Sequence, residues 1–288
     1  MLSIKFFIDF DGTITREDVG DAMFERFGGI QCREYINRYR RGEISAAECF
    51  RLECGACNNV DKNELDAFLD TREIDRSFLS FINFCRSEHF EPIIVSDGMD
   101  YYINRILSKN KMSVILSGDA ERPAENLLSS SESENEIDGL RIFSNKLQLV
   151  SPLSPLWREG QGVSGSNGDA KVSFSPSFPF ENESCDRCAC CKRNIMLTES
   201  GDDDICVLIG EGYSDRCPAP YADLVFAKDD LKTFCIEEGI PFDEYASFSD
   251  IERRMRELLE VHRTKPGKSR LHQRRRAVLA RRNVFIGE

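Results

Sequence analysis

Short, nearly continuous apolar runs alternate along this chain with longer stretches in which apolar residues recur every three or four positions. The runs cover Ile4–Ile8, residues 93–95, Ile205–Gly210 and residues 223–227. Runs of this length, rich in β-branched and aromatic residues, are typical of strands buried within a parallel sheet. The pattern therefore predicts strands in these four places, with two further short strands at residues 140–143 and 146–150.

From residue 17 to about residue 86 the apolar positions follow a helical period, as at Val19, Met23 and Phe27. Apolar residues at spacings of three or four line one face of a helix, so several short helices are expected there. Further helices are expected over residues 101–107 and from about residues 229 and 249. A strand, a helical block, a strand and a helix, in that order, indicate an α/β fold with an inserted helical cap.

These elements divide the chain into three parts. Residues 1–14 and 88–262 form the predicted core, residues 15–87 the predicted helical cap, and residues 263–288 a basic tail. Within the core, residues 117–138 and 151–179 are rich in Ser, Gly, Pro and charged residues, which is typical of long loops. The tail carries nine Lys or Arg against one Glu, and we expect a disordered, solvated end.

Size and composition indicate a globular protein. With 288 residues and 41% hydrophobic residues, the chain can bury a sizeable core. Its apolar runs are much shorter than the roughly 20 residues that a membrane span requires. The N-terminal segment lacks a basic leader and a small-residue cleavage site, so we expect a cytoplasmic protein. The 12 cysteines are then expected to be reduced thiols.

The charge distribution bears on whether the folded part of the chain binds nucleic acid. The formal net charge is −12, and because the tail is basic, the rest of the chain is more acidic still. Phosphate backbones attract basic surfaces, so nucleic acid is disfavoured as a partner of the folded part. The sequence gives no indication of the oligomeric state.

Two carboxylates separated by one residue follow the first predicted strand, in Asp9-Phe10-Asp11-Gly12-Thr13. The carboxyl ends of parallel strands line the ligand crevice of an open sheet. A carboxylate there can accept a phosphoryl group as an aspartyl phosphate, which divides a slow displacement into two easier steps. We therefore predict that Asp9 is the nucleophile, and that Asp11 protonates the leaving group and later deprotonates water.

Two later sites are candidates for binding a phosphate group. Ser96 follows the predicted strand at residues 93–95 and can offer its hydroxyl, together with the backbone N–H groups of Asp97 and Gly98. Lys192 can supply a positive charge to the same phosphate. Taken singly, Ser96 could cap a helix and Lys192 could be a surface lysine.

Two further carboxylates follow the strand Ile205–Gly210. The nucleophile, the acid and a phosphate together gather negative charge, which requires a compact hard cation such as Mg²⁺. Glu211 can act as an oxygen ligand of this ion, and Asp215 can support the site from behind. Taken singly, the two acids could instead form a polar turn.

The order Asp-x-Asp-Gly-Thr, Ser, Lys and Gly-acid-x-x-x-Asp resembles the haloacid dehalogenase superfamily over the length of the core. More narrowly, residues 95–102, 185–192 and 242–250 resemble the 2-hydroxy-3-keto-5-methylthiopentenyl-1-phosphate phosphatase branch, which is related to phosphoserine phosphatases. The resemblance implies a Rossmann-like parallel sheet flanked by helices, a helical cap inserted after Thr13, and an aspartyl-phosphate intermediate. It also implies that Mg²⁺ is held by Asp9, the Asp11 carbonyl and Glu211.

Two positions depart from the pattern of the superfamily. Glu211 stands where most relatives carry Asp, so its loop must absorb an extra methylene group. In phosphoserine phosphatases a cap acid binds the substrate amine and a cap Arg binds its carboxylate; Asp18 falls near the first position and Glu53 near the second. A carboxylate facing a carboxylate is repelled in a desolvated pocket. Asp18 is therefore expected to contribute to specificity, and phosphoserine is disfavoured as the substrate.

Four cysteines just before Lys192, at positions Cys185, Cys188, Cys190 and Cys191, have a spacing that occurs in metal sites. A structural zinc ion usually takes two separated pairs of ligands, whereas Cys190 and Cys191 are adjacent and no His is nearby. A zinc site and a cluster of reduced thiols that steers Lys192 into the site are both left open.

Together these features predict Mg²⁺-dependent hydrolysis of a small phosphorylated metabolite, such as 2-hydroxy-3-keto-5-methylthiopentenyl-1-phosphate. Two alternatives remain at this stage. A phosphotransferase would use the same Asp9 and pass the phosphoryl group to an alcohol. A non-catalytic protein would bind a phosphorylated metabolite through Ser96 and Lys192.

Overall fold

The structure is a computed structural model that describes residues 2–110, 112–116, 137–151, 171–182, 185 and 187–286. Most of the two predicted loops, residues 117–138 and 151–179, lies outside the described residues. None of the helices in the described ranges combines the length and the apolar character needed to cross a membrane.

One sheet of nine strands, mostly parallel, organises the described residues. Strand β1 (Ile4–Ile8) lies between β3 (Glu91–Met99) and β7 (Ile205–Gly210). Beyond β7 the sheet continues with β8 (Leu224–Ala227) and β9 (Asp243–Glu244). On the other side of β3, strand β5 (Ile137–Val150) pairs in parallel with β3 and with β4 (Met112–Leu116).

Helices cover both faces of this sheet. Because successive side chains of a strand point to opposite faces, Phe6 and Ile8 belong to one buried cluster and Phe7 to another. The first face is covered by α5 (Phe78–Ser87), α6 (Asp100–Lys109) and α9 (Phe248–Thr264). The second is covered by α7 (Lys192–Glu199) and α8 (Asp229–Glu237). The predicted fold class, an α/β sheet flanked by helices with an inserted cap, is confirmed.

The cap consists of four short helices: α1 (Val19–Gly28), α2 (Gln31–Arg40), α3 (Ala46–Ala56) and α4 (Lys62–Asp70). Three of them begin at a polar residue whose side chain accepts hydrogen bonds from backbone N–H groups of the first turn: Asp18, Ser45 and Asp61. Such caps satisfy donors that the helix itself leaves free. A β-bridge between Thr15 and Ile74 joins the two connections between cap and core.

Helix α5 falls within residues 15–87, the range predicted for the cap, but it packs in the core. Its Phe81 ring meets the Phe6 ring of β1 edge to face, at 5.2 Å between centroids. Its Phe78 ring lies 4.8 Å from the ring of Phe248 in α9. A helical period shows that a face is buried but not against which partner, so the sequence placed α5 with the cap.

Strand β6 (Lys171–Ser177) corrects part of the loop predicted for residues 151–179. It pairs antiparallel with Lys146–Val150 of β5 and, through Val172, with the cap strand β2 (Val60–Asp61). Val172 and Phe174 are buried on one side of this hairpin. The two short strands predicted at residues 140–143 and 146–150 are one continuous strand, whose first half pairs with the core and whose second half reaches the cap.

Residues 263–288, the predicted disordered tail, contain α10 (Arg275–Ile286) in this structure. Leu271 and Ala277 are buried against the body. The fully buried side chain of Asp223 accepts hydrogen bonds from the Arg274 backbone N–H at 2.7 Å and from Arg281 Nη1 at 3.0 Å. The basic tail thus folds onto an acid of the body, a pairing that the local composition does not reveal.

Candidate active site

The carboxyl ends of β1, β3 and β7 meet beside the cap at a cavity of about 100 Å³. Seven of the residues proposed from the sequence line it: Asp9, Asp11, Asp18, Ser96, Asp97, Gly98 and Glu211. The other two, Lys192 and Asp215, lie directly behind Asp9. Strands remote in sequence therefore bring all nine predicted site residues into one region.

Asp9, Lys192 and Asp215 form a chain of buried ionic contacts. Lys192 Nζ lies 2.7 Å from Asp9 Oδ1 and 2.7 Å from Asp215 Oδ1. The second oxygen of Asp215, Oδ2, accepts hydrogen bonds from the backbone N–H groups of Glu211 and Gly212, both at 3.0 Å. Lys192 is therefore fixed between two carboxylates rather than free on the surface.

Burial and the neighbouring charges shift the pKa values of Asp9 and Lys192 in this chain of contacts. Burial and the nearby Asp215 carboxylate raise the pKa of Asp9 well above its ordinary value, although Lys192 partly offsets this effect. Burial also opposes the charge of Lys192, yet Asp215 and Asp9 raise the pKa of its ammonium group well above the usual range. One lysine thus faces more than one carboxylate, which leaves a local excess of negative charge.

Asp11 is held by contacts from three groups. Its Oδ1 accepts hydrogen bonds from the backbone N–H groups of Val19 and Gly20 at the start of α1, at 3.0 and 3.4 Å. Its Oδ2 accepts a hydrogen bond of 2.6 Å from the hydroxyl of Tyr102. Burial, with a contribution from Asp18, raises the pKa of Asp11 to about 7. A carboxyl group with this pKa can both donate and accept a proton near neutral pH.

The side chain of Glu211 reaches back over the loop that follows β1. Gly12 has a φ of +64°, and a Cβ built there would lie 2.8 Å from Glu211 Oε1. Burial, followed by the Asp215 carboxylate, raises the pKa of Glu211 to about 7. Glycine at position 12 therefore both permits the left-handed backbone and leaves room for the longer acid at position 211.

Ser96 and Asp97 close the cavity at the end of β3. The Ser96 hydroxyl oxygen accepts a hydrogen bond of 2.9 Å from the Gly98 backbone N–H, which leaves its O–H free to donate. Asp97 Oδ1 accepts a hydrogen bond of 2.8 Å from the Cys190 N–H. Asn145 Nδ2 donates to the Asp97 carbonyl at 2.6 Å. These contacts tie β3 to β5 and to the segment that precedes Lys192.

The chemistry of the donors fits a hard divalent cation. Asp9, Asp11 and Glu211 all line one cavity, and burial raises the pKa of each because it disfavours the charged form. A bound cation would offset this cost. Carboxylate and carbonyl oxygens are the ligands that Mg²⁺ prefers in proteins. These residues could therefore hold Mg²⁺.

A second cavity of about 120 Å³ continues from the first into the cap. Asp18, Asp21, Phe50, Asp97 and Ser214 line both cavities. Further in, the walls are formed by residues of α2 and α3 and by one core residue: Ile36, Tyr39, Arg40, Ala46, Cys49, Glu53 and Tyr213. This second cavity, the cap chamber, is where a leaving group would extend from a phosphate held near Asp9.

Glu53 is an unusual residue in the wall of the cap chamber. Its side chain is only 2% exposed, and Oε1 makes no hydrogen bond. Burial, followed by the carboxylates of Asp21 and Asp18, raises its pKa to about 9. At neutral pH the group is therefore a neutral carboxylic acid, which can donate a hydrogen bond into the chamber.

Tyr102 and Asn145 are among the residues around the site that were not predicted from the sequence. Tyr102 lies one turn after Gly98, within the segment 95–102 that carries the family resemblance, so its position could have been noticed there. Asn145 could not have been found, because β5 follows a long polar region and nothing in its sequence marks a neighbour of Asp97.

Comparison with known proteins finds a matching family model and two curated relatives to which this chain is similar. Residues 6–134 match the family model of haloacid dehalogenase-like hydrolases. A curated 2-hydroxy-3-keto-5-methylthiopentenyl-1-phosphate phosphatase of Bacillus cereus (strain ATCC 10987 / NRS 248) is 28% identical over 261 residues, covering 90% of this chain and 99% of the relative. The phosphatase of the same name from Bacillus thuringiensis (strain Al Hakam) is 28% identical over 264 residues.

Solved structures agree on the fold. A phosphoserine phosphatase captured as an analogue of its phospho-aspartyl intermediate aligns with a TM-score of 0.55 at 14% identity, over 90% of this chain and 99% of that one. A probable phosphoserine phosphatase from Vibrio cholerae aligns with a TM-score of 0.58 at 15% identity, over 91% of this chain and 67% of that one. At these identities the likeness concerns the fold alone.

Proposed function

We propose that this chain is a haloacid dehalogenase-like hydrolase and that it hydrolyses a small phosphomonoester through a phosphorylated Asp9. The observation that carries the proposal is the chain of contacts Asp9–Lys192–Asp215 at the end of β1, with Asp11 on the same cavity. A carboxylate fixed by a buried ammonium group, beside an acid whose pKa is about 7, is the arrangement that two-step phosphoryl transfer requires.

In the first step Asp9 attacks the phosphorus atom. The Phe10 backbone N–H and Lys192 both contact Oδ1 of Asp9, so we expect Oδ2 to be the attacking oxygen. As the new O–P bond forms, the bond from phosphorus to the leaving oxygen breaks, and Asp11 donates its proton to that oxygen. Lys192 and the hydroxyl of Ser96 stabilise the charge on the phosphate oxygens.

In the second step water attacks the phosphorus of the phosphorylated Asp9. Asp11, now ionised, accepts a proton from this water, and the bond from phosphorus to the Asp9 oxygen breaks. Inorganic phosphate is released, and both carboxyl groups return to their starting states. Asp9, the backbone carbonyl of Asp11 and Glu211 would hold Mg²⁺, which supplies positive charge for the phosphate oxygens when it is bound.

The cap chamber supports a substrate without a carboxylate group. Asp18 and Asp21 line it together with Arg40, whose positive charge acts on both of these acids. A carboxylate on the substrate would compete with Asp18 and Asp21 for Arg40. The side chains of Ile36 and Phe50 offer apolar surface instead. We propose a neutral, partly apolar leaving group, as in 2-hydroxy-3-keto-5-methylthiopentenyl-1-phosphate, in preference to phosphoserine.

The decisive experiment measures phosphate release with Mg²⁺ from a panel of small phosphoesters that includes both of these compounds. Wild type is compared with Asp9→Asn, which keeps the shape of the side chain but removes its nucleophilic charge. We expect the variant to retain no more than about one thousandth of the wild-type turnover. The matched control is Asp202→Asn, which changes an exposed aspartate in the loop before β7, at the end of the sheet opposite the cavity.

Three outcomes would overturn the proposal. Unchanged turnover in Asp9→Asn would exclude this nucleophile. Product formation that depends on an added alcohol, without release of phosphate, would instead identify a phosphotransferase. Absence of turnover across the panel, together with failure of beryllium fluoride to bind at Asp9, would indicate a protein that only binds phosphorylated metabolites.

A further inference from the structure

A cluster of thiols lies behind the candidate active site and takes no part in the proposed reaction. The sulfur atoms of Cys185, Cys188 and Cys191 all lie within 4.8 Å of one another. Cys217, which comes from a different part of the chain, brings a fourth sulfur to 3.9 Å from that of Cys185. The thiol of Cys188 also contacts those of Cys191 and Cys217.

The two sulfur–sulfur distances measured from Cys185 match those of a metal tetrahedron, and Cys217 would have to approach the other sulfur atoms to complete it. A zinc ion bound by four thiolates at about 2.3 Å has its sulfur atoms about 3.8 Å apart. The distances are 3.5 Å between Cys185 and Cys188 and 3.9 Å between Cys185 and Cys217. A disulfide bond would need the two sulfur atoms to be about 2 Å apart.

The structure also resolves the objection that the sequence raised against zinc. Cys190 does not belong to the cluster, because its side chain is buried among apolar core residues such as Phe7 and Ile195. Its place is taken by Cys217. Three of the four ligands then come from one segment and the fourth from another, which leaves room for a tetrahedron, and the adjacent pair Cys190 and Cys191 need not bind one ion.

The surroundings of the cluster suit an anionic metal site. Four thiolates around one zinc ion carry a net charge of about −2, which a nearby cation would stabilise. Arg193 interacts with the thiols of Cys191 and Cys217. Its Nε is buried and has no hydrogen-bond partner, so this donor is free to point at a thiolate sulfur.

We propose that Cys185, Cys188, Cys191 and Cys217 form a structural zinc site. The site joins the two segments that carry the buried ion pair. Cys191 immediately precedes Lys192, and Cys217 follows Asp215 by two positions along the chain. A zinc ion held between these segments fixes the separation of Lys192 from Asp215, and it also anchors the segment whose Cys190 N–H binds Asp97.

The test measures metal in the full chain, produced with zinc available and purified under reducing conditions without chelators. Inductively coupled plasma mass spectrometry is expected to find about one zinc ion per chain after exhaustive desalting. In Cys217→Ala and in Cys188→Ala the zinc content should fall at least about tenfold. Cys217→His, which keeps a zinc ligand, should retain the ion. The matched control is Cys190→Ala, which removes the neighbouring thiol outside the cluster and should leave the zinc content unchanged.

A second measurement does not depend on the variants folding. Wild type stripped of zinc and loaded with Co²⁺ should show the intense visible bands of a tetrahedral tetrathiolate site, and added Zn²⁺ should abolish them. Neither the zinc content nor the Co²⁺ spectrum depends on phosphatase activity. The zinc site can therefore be confirmed or overturned independently of the proposed function.

Several results would overturn the zinc site. These are wild type without bound zinc, iron in place of zinc, zinc retained in full by both alanine variants, or a native Cys185–Cys188 disulfide found by peptide mapping.

Discussion

At the scale of single residues, the contact between Tyr102 and Asp11 determines how the proposed acid works. The Tyr102 hydroxyl donates to Asp11 Oδ2 at 2.6 Å, a bond that stabilises the ionised form and lowers the pKa of Asp11. Burial acts in the opposite direction and is the larger effect. The pKa of about 7 for Asp11 therefore results from burial, which raises it, and from contacts such as the Tyr102 hydrogen bond, which lower it.

Tyr102→Phe should raise the pKa of Asp11, because it removes a hydrogen bond that stabilises the ionised carboxylate. Loss of a hydrogen bond to a charged group costs about 1.5–3 kcal/mol, so the pKa of Asp11 should rise by about one to two units. The alkaline limb of the profile of kcat/KM against pH, where Asp11 loses the proton that it must donate, should move upward by the same amount.

The matched control for this prediction is the neighbouring tyrosine. Tyr101 donates its hydroxyl to Asp66 of the cap, outside the cavity, so Tyr101→Phe should leave the alkaline limb in place. An unchanged profile in Tyr102→Phe would show that Asp11 is not the titrating acid.

Glu53 is a second residue whose charge state follows from its surroundings. Its pKa in the folded protein, about 9, lies far above the value of about 4.3 for an exposed Glu. The folded state therefore holds a proton that the unfolded chain releases. The stability that this proton provides is complete below about pH 4 and is lost as the pH rises toward 9.

Glu53→Gln should therefore become stabilising as the pH rises. Gln has the same shape and does not titrate, so the two proteins should unfold most similarly near pH 4. Above that, the variant should gain up to about 1.4 kcal/mol of relative stability per pH unit. Thermal unfolding at pH 5, 7 and 9 measures this gain. Glu48→Gln, an exposed acid of the same helix α3, is the control, and parallel curves for Glu53→Gln and wild type would contradict the prediction.

At the scale of elements, helix α5 shows what the apolar pattern determines and what it leaves undetermined. The spacing of Phe78, Phe81 and Phe84 correctly predicts a helix with one buried face. The partner of that face is the sheet and α9, and these lie far away in sequence. The boundary between cap and core thus depends on tertiary contacts that a local pattern does not contain.

Phe81→Ala should destabilise the core strongly. The Phe81 ring is fully buried and contacts Phe6 and Phe248, each at 5.2 Å between centroids. Removal of such a ring costs about 3–5 kcal/mol in the free energy of unfolding, which urea denaturation can measure. Phe27→Ala, which removes a partly buried cap ring packed on Phe68, should cost less. A loss below about 1 kcal/mol in Phe81→Ala would place α5 outside the cooperative core.

At the scale of the whole molecule, the acidic body and the basic C-terminal segment compensate each other. Asp223 is buried and accepts hydrogen bonds from Arg274 and Arg281, while Arg276 donates to the Glu238 carbonyl. Some of the positive charge that the composition assigns to a free tail is therefore used within the fold.

Arg281→Gln should destabilise the protein without changing the proposed chemistry. The substitution leaves Asp223 buried without its ionic partner, and breaking a buried ion pair in this way costs about 3 kcal/mol. Thermal denaturation should show the loss, while turnover per folded molecule stays at the wild-type level. The adjacent, exposed Arg282 provides the control, since Arg282→Gln should melt like wild type. Equal melting of both variants would show that the segment is not anchored through Asp223.

The sequence predicted the central features of this molecule because they are local. Asp9 and Asp11 follow a continuous apolar strand, and Glu211 follows another, so their convergence needed only the rule that parallel strands end at one edge. Strand β6, the partner of Asp223 and the fourth thiol of the cluster were not predicted. Each depends on pairing between segments separated by a long loop or many residues, and nothing nearby in the chain encodes the partner.

Strand β5 determines how substrate preference could be transplanted between relatives. This strand pairs with β3 in the core and with β6 beyond it, and β6 pairs with β2 of the cap. The cap is therefore assembled from two separate stretches of sequence. In a chimaera that exchanges only residues 15–74 with a relative, β2 of the relative would have to pair with the original β5–β6 hairpin. An active chimaera would have to exchange residues 146–177 as well, so that β2 and the hairpin that pairs with it come from the same relative.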